Sequence, residues 1–261
     1  HYSFKLIFKG RLKLVKNLGA CLDKITSEAI KFDFPLVKVK EGSAVFMVPD
    51  VKTNYIPSKA PVFYNPKMEL NRDFAIAFLQ SFRSWLGREI KVCEPLSGCG
   101  VRGVRFAVEV DGLAKVVIND LNPNAAKLAR LNVKNSGVEK IVEVYDVDAS
   151  LLLSEFSKPD QRFDYVDIDP FGSPSPYIQP ALKALRNDGV LATTATDMAP
   201  LCGVHSKACI RHYGIKPLRT EYCHELAVRI LIGFIAASAA RIDLAVEPLF
   251  CHSTDHYVRV Y

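Results

Sequence analysis

Asp169, Pro170, Phe171 and Gly172 come directly after Phe163–Ile168, which reads as a buried strand. Carboxylates are seldom buried without a partner, so Asp167 and Asp169, bracketing Ile168, point to a site rather than to core. Proline withholds a backbone donor and leaves neighbouring carbonyls free as acceptors. The Asp169 carboxylate and such a carbonyl can together accept both hydrogens of an exocyclic NH2 group. That aims the nitrogen lone pair at an electrophilic methyl for in-line transfer between positioned reactants. Phe171 offers a face on which a flipped base can stack. Asp169, Pro170 and Phe171 are therefore the candidate catalytic group, against the plainer reading of a Pro-Gly loop with Asp169 as a cap.

Three more segments supply ligand-binding chemistry. In Glu94-Pro-Leu-Ser-Gly98-Cys-Gly100-Val-Arg102-Gly103, the glycines let a ligand approach the backbone, and the following helix N-terminus favours an anionic group. Their spacing also satisfies the dinucleotide pattern G-x-G-x-x-G, so an oxidoreductase is a competing reading. Glu94, ahead of the glycines, can receive the ammonium of a methionine moiety; the alternative is a surface or capping acid. Asp120 ends the next strand, where an acid accepts ribose hydroxyls of an adenosine. Asp148, with Ala149 beside it, is either an acceptor for an adenine amino group or the N-cap of a helix.

The elements that position these residues alternate regularly. Strands are expected at Ile90–Leu96, Ala114–Asn119, Ile141–Tyr145, Phe163–Ile168 and Val190–Ala195. Helices are expected between them at Val101–Val110, Pro123–Asn135, Ala149–Phe156 and Pro176–Arg186. Such alternation implies parallel βαβ units of the doubly wound α/β class. Upstream, Leu36–Lys40 and Ala44–Val48 form a hairpin about Glu41-Gly42, and Asn71 caps a helix ending at Gly87. Downstream, a helix over about Thr220–Arg241 precedes strands at Leu244–Cys251 and His256–Tyr261. Ser253-Thr254-Asp255 is too short a link for a parallel crossover, so the last pair is antiparallel. The expected fold is a Rossmann-like class I methyltransferase: a mostly parallel seven-stranded sheet ending in an antiparallel hairpin. Dinucleotide dehydrogenases lack that hairpin.

Composition sets the outer bounds. The 261 residues are 49% apolar and 24% charged, enough for one large packed domain. The apolar stretch Ile230–Ala240 is too short to span a bilayer, so no membrane role is expected. Residues 1–40 hold nine Lys or Arg against three acids, which accounts for the whole net charge of +6. A basic arm suits a polyanion such as RNA, because each phosphate contact releases counterions; a solvated surface is the alternative. An RNA-binding module with a vestigial cofactor site is a further reading of that arm. Seven cysteines with no C-x-x-C pair read as a reduced intracellular protein. Cys202, His205, Cys209 and His212 match no standard zinc spacing, and no metal is expected.

Taken together, these segments resemble the tRNA guanine-26 N2-dimethyltransferase family. The resemblance rests on Phe63-Tyr-Asn-Pro-Lys-Met-Glu-Leu-Asn-Arg72-Asp73, Leu96-Ser-Gly-Cys-Gly-Val-Arg-Gly-Val-Arg105, Asp167-Ile-Asp-Pro-Phe-Gly-Ser-Pro174, Ala195-Thr-Asp-Met-Ala-Pro-Leu-Cys-Gly203 and Asp255-His-Tyr257. It covers about Val37 to Tyr261. It implies S-adenosyl-L-methionine as cofactor, tRNA as partner without an obligate protein partner, and transfer of one or two methyl groups to guanine N2. By the same resemblance Asp169 is catalytic, and Phe63 and Phe171 sandwich the guanine. Arg72 and Arg102 hold the methionine end of the cofactor, while Asp120 and Asp148 hold its adenosine. Members often carry Asp where Glu94 stands. Related amino methyltransferases act on other bases or on glutamine, and they place a second proline where this chain has Phe171. The expected organisation is a basic extension over 1–35, a hairpin and substrate loop over 36–70 and the methyltransferase domain over 71–261. The C-terminal RNA-binding domain usual in the family falls outside these residues. The expected location is intracellular: cytoplasmic, or nuclear or mitochondrial in a eukaryote.

Overall fold

The computed structural model describes residues 31–50, 60–254 and 256–261. The chain divides into two units, residues 1–33 and 34–261, and every element below belongs to the second. All but one of the lysines and arginines of the basic stretch below residue 35 lie outside the described residues.

Strands β1 (Leu36–Glu41) and β2 (Ala44–Pro49) form a separate antiparallel hairpin with Glu41 opposite Ala44. Its two-residue turn starts at Gly42 with φ 52°, the left-handed conformation that short hairpin turns require. Helix α1 (Glu69–Leu86) begins one short 3-10 turn after Asn65. Asn65, not Asn71, is the capping side chain, accepting from the Lys67 N–H at 3.1 Å. Pro66 needs no donor partner at the first position, which moves the start upstream and leaves Asn71 buried inside the helix.

The main sheet has the order β5-β4-β3-β6-β7-β9-β8. Its strands are β3 (Ile90–Glu94), β4 (Leu113–Asn119), β5 (Val142–Tyr145), β6 (Phe163–Ile168), β7 (Leu185–Ala195), β8 (Cys251–Thr254) and β9 (Tyr257–Val260). The first five are parallel, and β9 pairs antiparallel with both β7 and β8. Helices α2 (Val101–Glu109), α3 (Pro123–Asn135), α4 (Ala149–Glu155) and α5 (Ser175–Ala184) fill the crossovers. All six residues of β6 are buried, as a central parallel strand requires. Chain direction across the sheet reverses between β3 and β6. Ligands of open α/β sheets bind outside the carboxyl ends of the strands at such a reversal. Glu94 and Asp169 lie at the carboxyl ends of those two strands.

Several boundaries differ from expectation. The penultimate strand is Cys251–Thr254 rather than Leu244–Cys251. Pro248 cannot donate to a ladder, and only Leu249 N–H to Tyr261 O (2.9 Å) and Tyr261 N–H to Phe250 O (2.8 Å) extend the pairing upstream. Strand β7 begins at Leu185, five residues early, and tolerates an irregularity where Asp188 takes φ 61°. Two short helices, α6 (Met198–Leu201) and α7 (Ser206–Tyr213), carry no periodicity long enough to read from sequence. The last helix, α8 (Cys223–Ala240), is long and apolar enough by length and composition to cross a membrane, contrary to expectation. Here it buries Ala227, Val228, Ile230, Leu231, Ile235 and Ala239 in one cluster with Ile178 of α5 and Val258 of β9. Truncating one of its buried leucines or isoleucines would cost about 2–5 kcal/mol.

Candidate active site

The loop after β3 is shaped by its glycines. Gly98 (φ 56°) and Gly100 (φ 76°) take left-handed backbone, and a Cβ added to Gly100 would stand 2.9 Å from the Cβ of Ala129 in α3. At Gly98 the same atom would stand 2.9 Å from the carbonyl oxygen of Phe63, so the Phe63 segment rests on this loop. Gly103 lies against Ile118 and Glu94, which makes it a helix–sheet contact. Asn119, fully buried, ties three strand ends together. Its amide donates to Pro95 O (2.9 Å) and Val147 O (3.0 Å) and accepts from Val147 N–H (3.0 Å). Sequence reasoning passed over it, because nothing in its type distinguishes it from a loop residue.

Five ionisable groups form a buried cluster beneath the site. The Arg102 guanidinium donates through Nη2 to Asp169. Its Nε lies 3.4 Å from Glu94 Oε1 and 3.7 Å from Asp167 Oδ1. Arg259, on β9, pairs with Asp167 through Nη1 at 3.1 Å and Nη2 at 2.5 Å, and donates to Thr194 Oγ1 (2.7 Å) and the Tyr261 hydroxyl (2.8 Å). Asp167 and Arg259 are wholly inaccessible. Burial would raise the Asp167 carboxyl, but Arg102 and Arg259 outweigh it and hold it below the usual range. Glu94 has the looser Arg102 contact in place of such a two-bond pair. Burial pushes it up to about 8, against the pull of Arg102 and with Asp167 adding to the rise. Its Oε2 accepts from Gly103 N–H at 2.9 Å. Arg259 had a signal in sequence: it shares the inward face of β9 with Tyr257 and Tyr261, an odd place for a cation.

The remaining site residues sort cleanly. Asp120 accepts from Gly98 N–H (2.8 Å) through one oxygen and from Asn122 N–H (2.9 Å) through the other. Each oxygen keeps a lone pair for a hydroxyl, while burial raises the group against those two bonds. Asp148 is the N-cap of α4, accepting from Ser150 and Leu151 N–H through Oδ1 at 2.9 and 3.0 Å; Oδ2 is in neither bond. Ala149 opens that helix, buried. Arg72 goes elsewhere: it forms a buried pair with Glu41 (2.5 and 2.7 Å), donates to Asn65 O (3.2 Å) and lies over the Tyr64 ring. It braces the loop that carries Phe63, and none of these bonds reaches Glu94 or Asp169. Phe63 and Phe171 touch edge to face, ring centroids 4.5 Å apart and planes at 87°. A base between them requires the rings to part and turn parallel, and Phe171, 65% exposed, is free to move. Pro170 is buried, and Gly172 (φ 80°) exchanges bonds with Thr196, N–H to Oγ1 at 2.7 Å and Thr196 N–H to Gly172 O at 3.0 Å.

The geometry also tests the fit of a methionine-type ligand. Among the described residues, Nη1 and Nε of Arg102 and the Ser97 hydroxyl are buried without a hydrogen-bond partner. Buried donors left unmet are costly, and a carboxylate beside them would meet that need. Glu94, at the same strand end, suits an ammonium. A zwitterionic amino-acid end therefore fits the residues present.

A mostly parallel sheet closed by an antiparallel strand, with an acid–glycine loop and Asp120 at successive strand ends, defines the α/β methyltransferase fold. Residues 42–261 match the family model for N2,N2-dimethylguanosine tRNA methyltransferase, and the chain belongs to that family. This sets aside the oxidoreductase reading of the glycines. Similar proteins include the tRNA (guanine(26)-N(2))-dimethyltransferases of Methanothermobacter thermautotrophicus (45% identical over 87% of this chain and 58% of that protein) and Methanocaldococcus jannaschii (45%, over 85% and 59%). The structure of Trm1 from Pyrococcus horikoshii with S-adenosyl-L-methionine is similar at 37% identity and TM-score 0.77, covering 86% of this chain and 60% of that one. The chain thus spans about three fifths of the length of the curated relatives it matches.

Proposed function

We propose that this chain transfers methyl groups from S-adenosyl-L-methionine to the exocyclic N2 of guanine 26 in tRNA. The observation that carries the reading is Asp169 just past the carboxyl end of β6, bonded by Arg102 and two residues before Phe171, whose ring meets that of Phe63. When bound, the cofactor supplies an electrophilic methyl. Glu94 receives its ammonium, Arg102 with Ser97 its carboxylate, Asp120 its ribose hydroxyls, and the free oxygen of Asp148, beside Ala149, its adenine. Arg72 contributes indirectly, by fixing the Phe63 loop through Glu41.

The guanine inserts between Phe63 and Phe171. Asp169 accepts one N2 hydrogen and a carbonyl of the Pro170 segment the other, which fixes the direction of the nitrogen lone pair. The bond from Arg102 prevents the carboxylate from rotating away, and the Thr196–Gly172 bonds hold the loop. After transfer N2 sheds one proton, and Asp169 is the group in contact to take it. A tRNA substrate puts the reaction inside the cell. The test is incubation with methyl-labelled cofactor and unmodified tRNA, followed by nucleoside analysis. Label in N2-methyl- or N2,N2-dimethylguanosine is expected. Label only in protein, or on another base, would overturn the proposal.

A further inference from the structure

The sequence spacing Cys202, His205, Cys209, His212 does not form a cluster. His212 binds Asp197 through Nδ1 (3.0 Å), and Cys209 is buried in the apolar packing of α8. Cys202 instead meets Cys223 and His224, and one ligand atom from each lies within 4.8 Å of the other two. The approach has a local cause. Gly203 takes φ 84°, and a Cβ there would stand 2.9 Å from Arg219 N, so the chain entering α8 passes directly over the residue after Cys202.

We propose that Cys202, Cys223 and His224 bind a soft divalent cation, best matched by zinc, with a fourth position open to water. Two sulfurs and one imidazole are a ligand set zinc accepts in tetrahedral geometry. Bond lengths of about 2.3 Å to sulfur and 2.0 Å to nitrogen put neighbouring ligand atoms about 3.5–4 Å apart, a small contraction from the present spacing. The Ser253 hydroxyl lies 3.0 Å from Nδ1 of His224 and fixes its ring, as when a second partner orients a ligating histidine. Cys223 sits at the start of α8. The ion would tie the end of α6, the start of α8 and, through Ser253, strand β8 into one unit.

The test is a titration of the reduced, chelator-treated chain with Co2+, followed by Zn2+. A 1:1 thiolate-to-cobalt charge-transfer band with tetrahedral d–d bands, displaced by Zn2+, is expected. His224→Ala should weaken Co2+ binding at least tenfold, and Cys202→Ser with Cys223→Ser should abolish the band. A second readout needs no variant: Zn2+ should protect Cys202 and Cys223, but not exposed Cys251, from iodoacetamide, as mapped by mass spectrometry. Absence of the band in folded, reduced protein would overturn the proposal. So would a band that survives the double substitution, protection confined to other cysteines, or a Cys202–Cys223 disulfide whose reduction yields no cobalt site.

Discussion

Arg259→Met separates the roles of the two buried arginines. With Glu94 protonated, which its value of about 8 gives at neutral pH, the cluster balances: Arg102 and Arg259 against Asp167 and Asp169. Methionine keeps the bulk and removes one positive charge, leaving Asp167 with the Arg102 guanidinium at 3.7 Å and the Tyr165 hydroxyl at 3.1 Å. Breaking a buried pair from one side costs about 3–5 kcal/mol, because the survivor keeps its desolvation penalty. Arg102 can turn toward Asp167 and recover part of that, so the lower end, about 3 kcal/mol, is expected. The recovery takes Arg102 away from Asp169, so kcat should fall while KM for tRNA holds. Adding Asp167→Leu removes the stranded charge, and the double variant should regain at least half the lost stability. Urea unfolding and steady-state methyl transfer measure the two effects. A stability loss under about 1 kcal/mol, or a double variant no better than the single one, would refute the charge count.

Glu94 gives a pH signature. Its folded value is raised from 4.5 to about 8, so the free protein loses stability as pH climbs from 4.5 towards 8, and Glu94→Gln should flatten that decline in pH-dependent unfolding. An arriving ammonium needs the carboxylate, so affinity for S-adenosylhomocysteine should rise between pH 6 and 7.5 with proton release, visible as buffer-dependent heat in calorimetry; a flat profile would contradict it. Gly98→Ala must displace the Phe63 carbonyl 2.9 Å away and strain φ 56°, so cofactor affinity should drop at least tenfold by calorimetry. Asp148→Ser retains a helix cap and Asp148→Ala loses one, worth about 1 kcal/mol. If Asp148 also holds adenine, both variants should weaken cofactor binding while only the alanine lowers the melting temperature.

Periodicity made the sheet legible. Strands such as Phe163–Ile168 and helices such as Pro123–Asn135 emerged with the observed limits because local pattern and long-range packing agree there. The Leu244–Phe250 segment misled: it is apolar, yet Pro248 and the sheet edge decide its conformation. Asp169, Phe171, Glu94 and Asp120 were legible as residues at or just past strand ends, where the structure places them; their binding roles belong to the proposed function. Glu41 and Asn119 could not, because their roles exist only through partners 31 and 28 residues away; Arg259 stood out as a cation on an inward strand face, but its partner lies 92 residues away. Asn132 is of the same kind, standing in for a missing strand by bonding both N–H and O of Met47.

The seat of Phe63 on Gly98 bears on processivity. Placing two methyl groups on one nitrogen requires the spent cofactor to leave and a fresh one to enter between transfers. Under the proposed function that exchange would take place in the loop on which the Phe63 carbonyl rests, so that loosening one would loosen the grip on the base. The first product would then tend to be released before the second transfer, making dimethylation distributive. In a pulse–chase with excess unlabelled tRNA, monomethylated guanosine should accumulate; direct passage to the dimethyl form would mean that the two loops move independently.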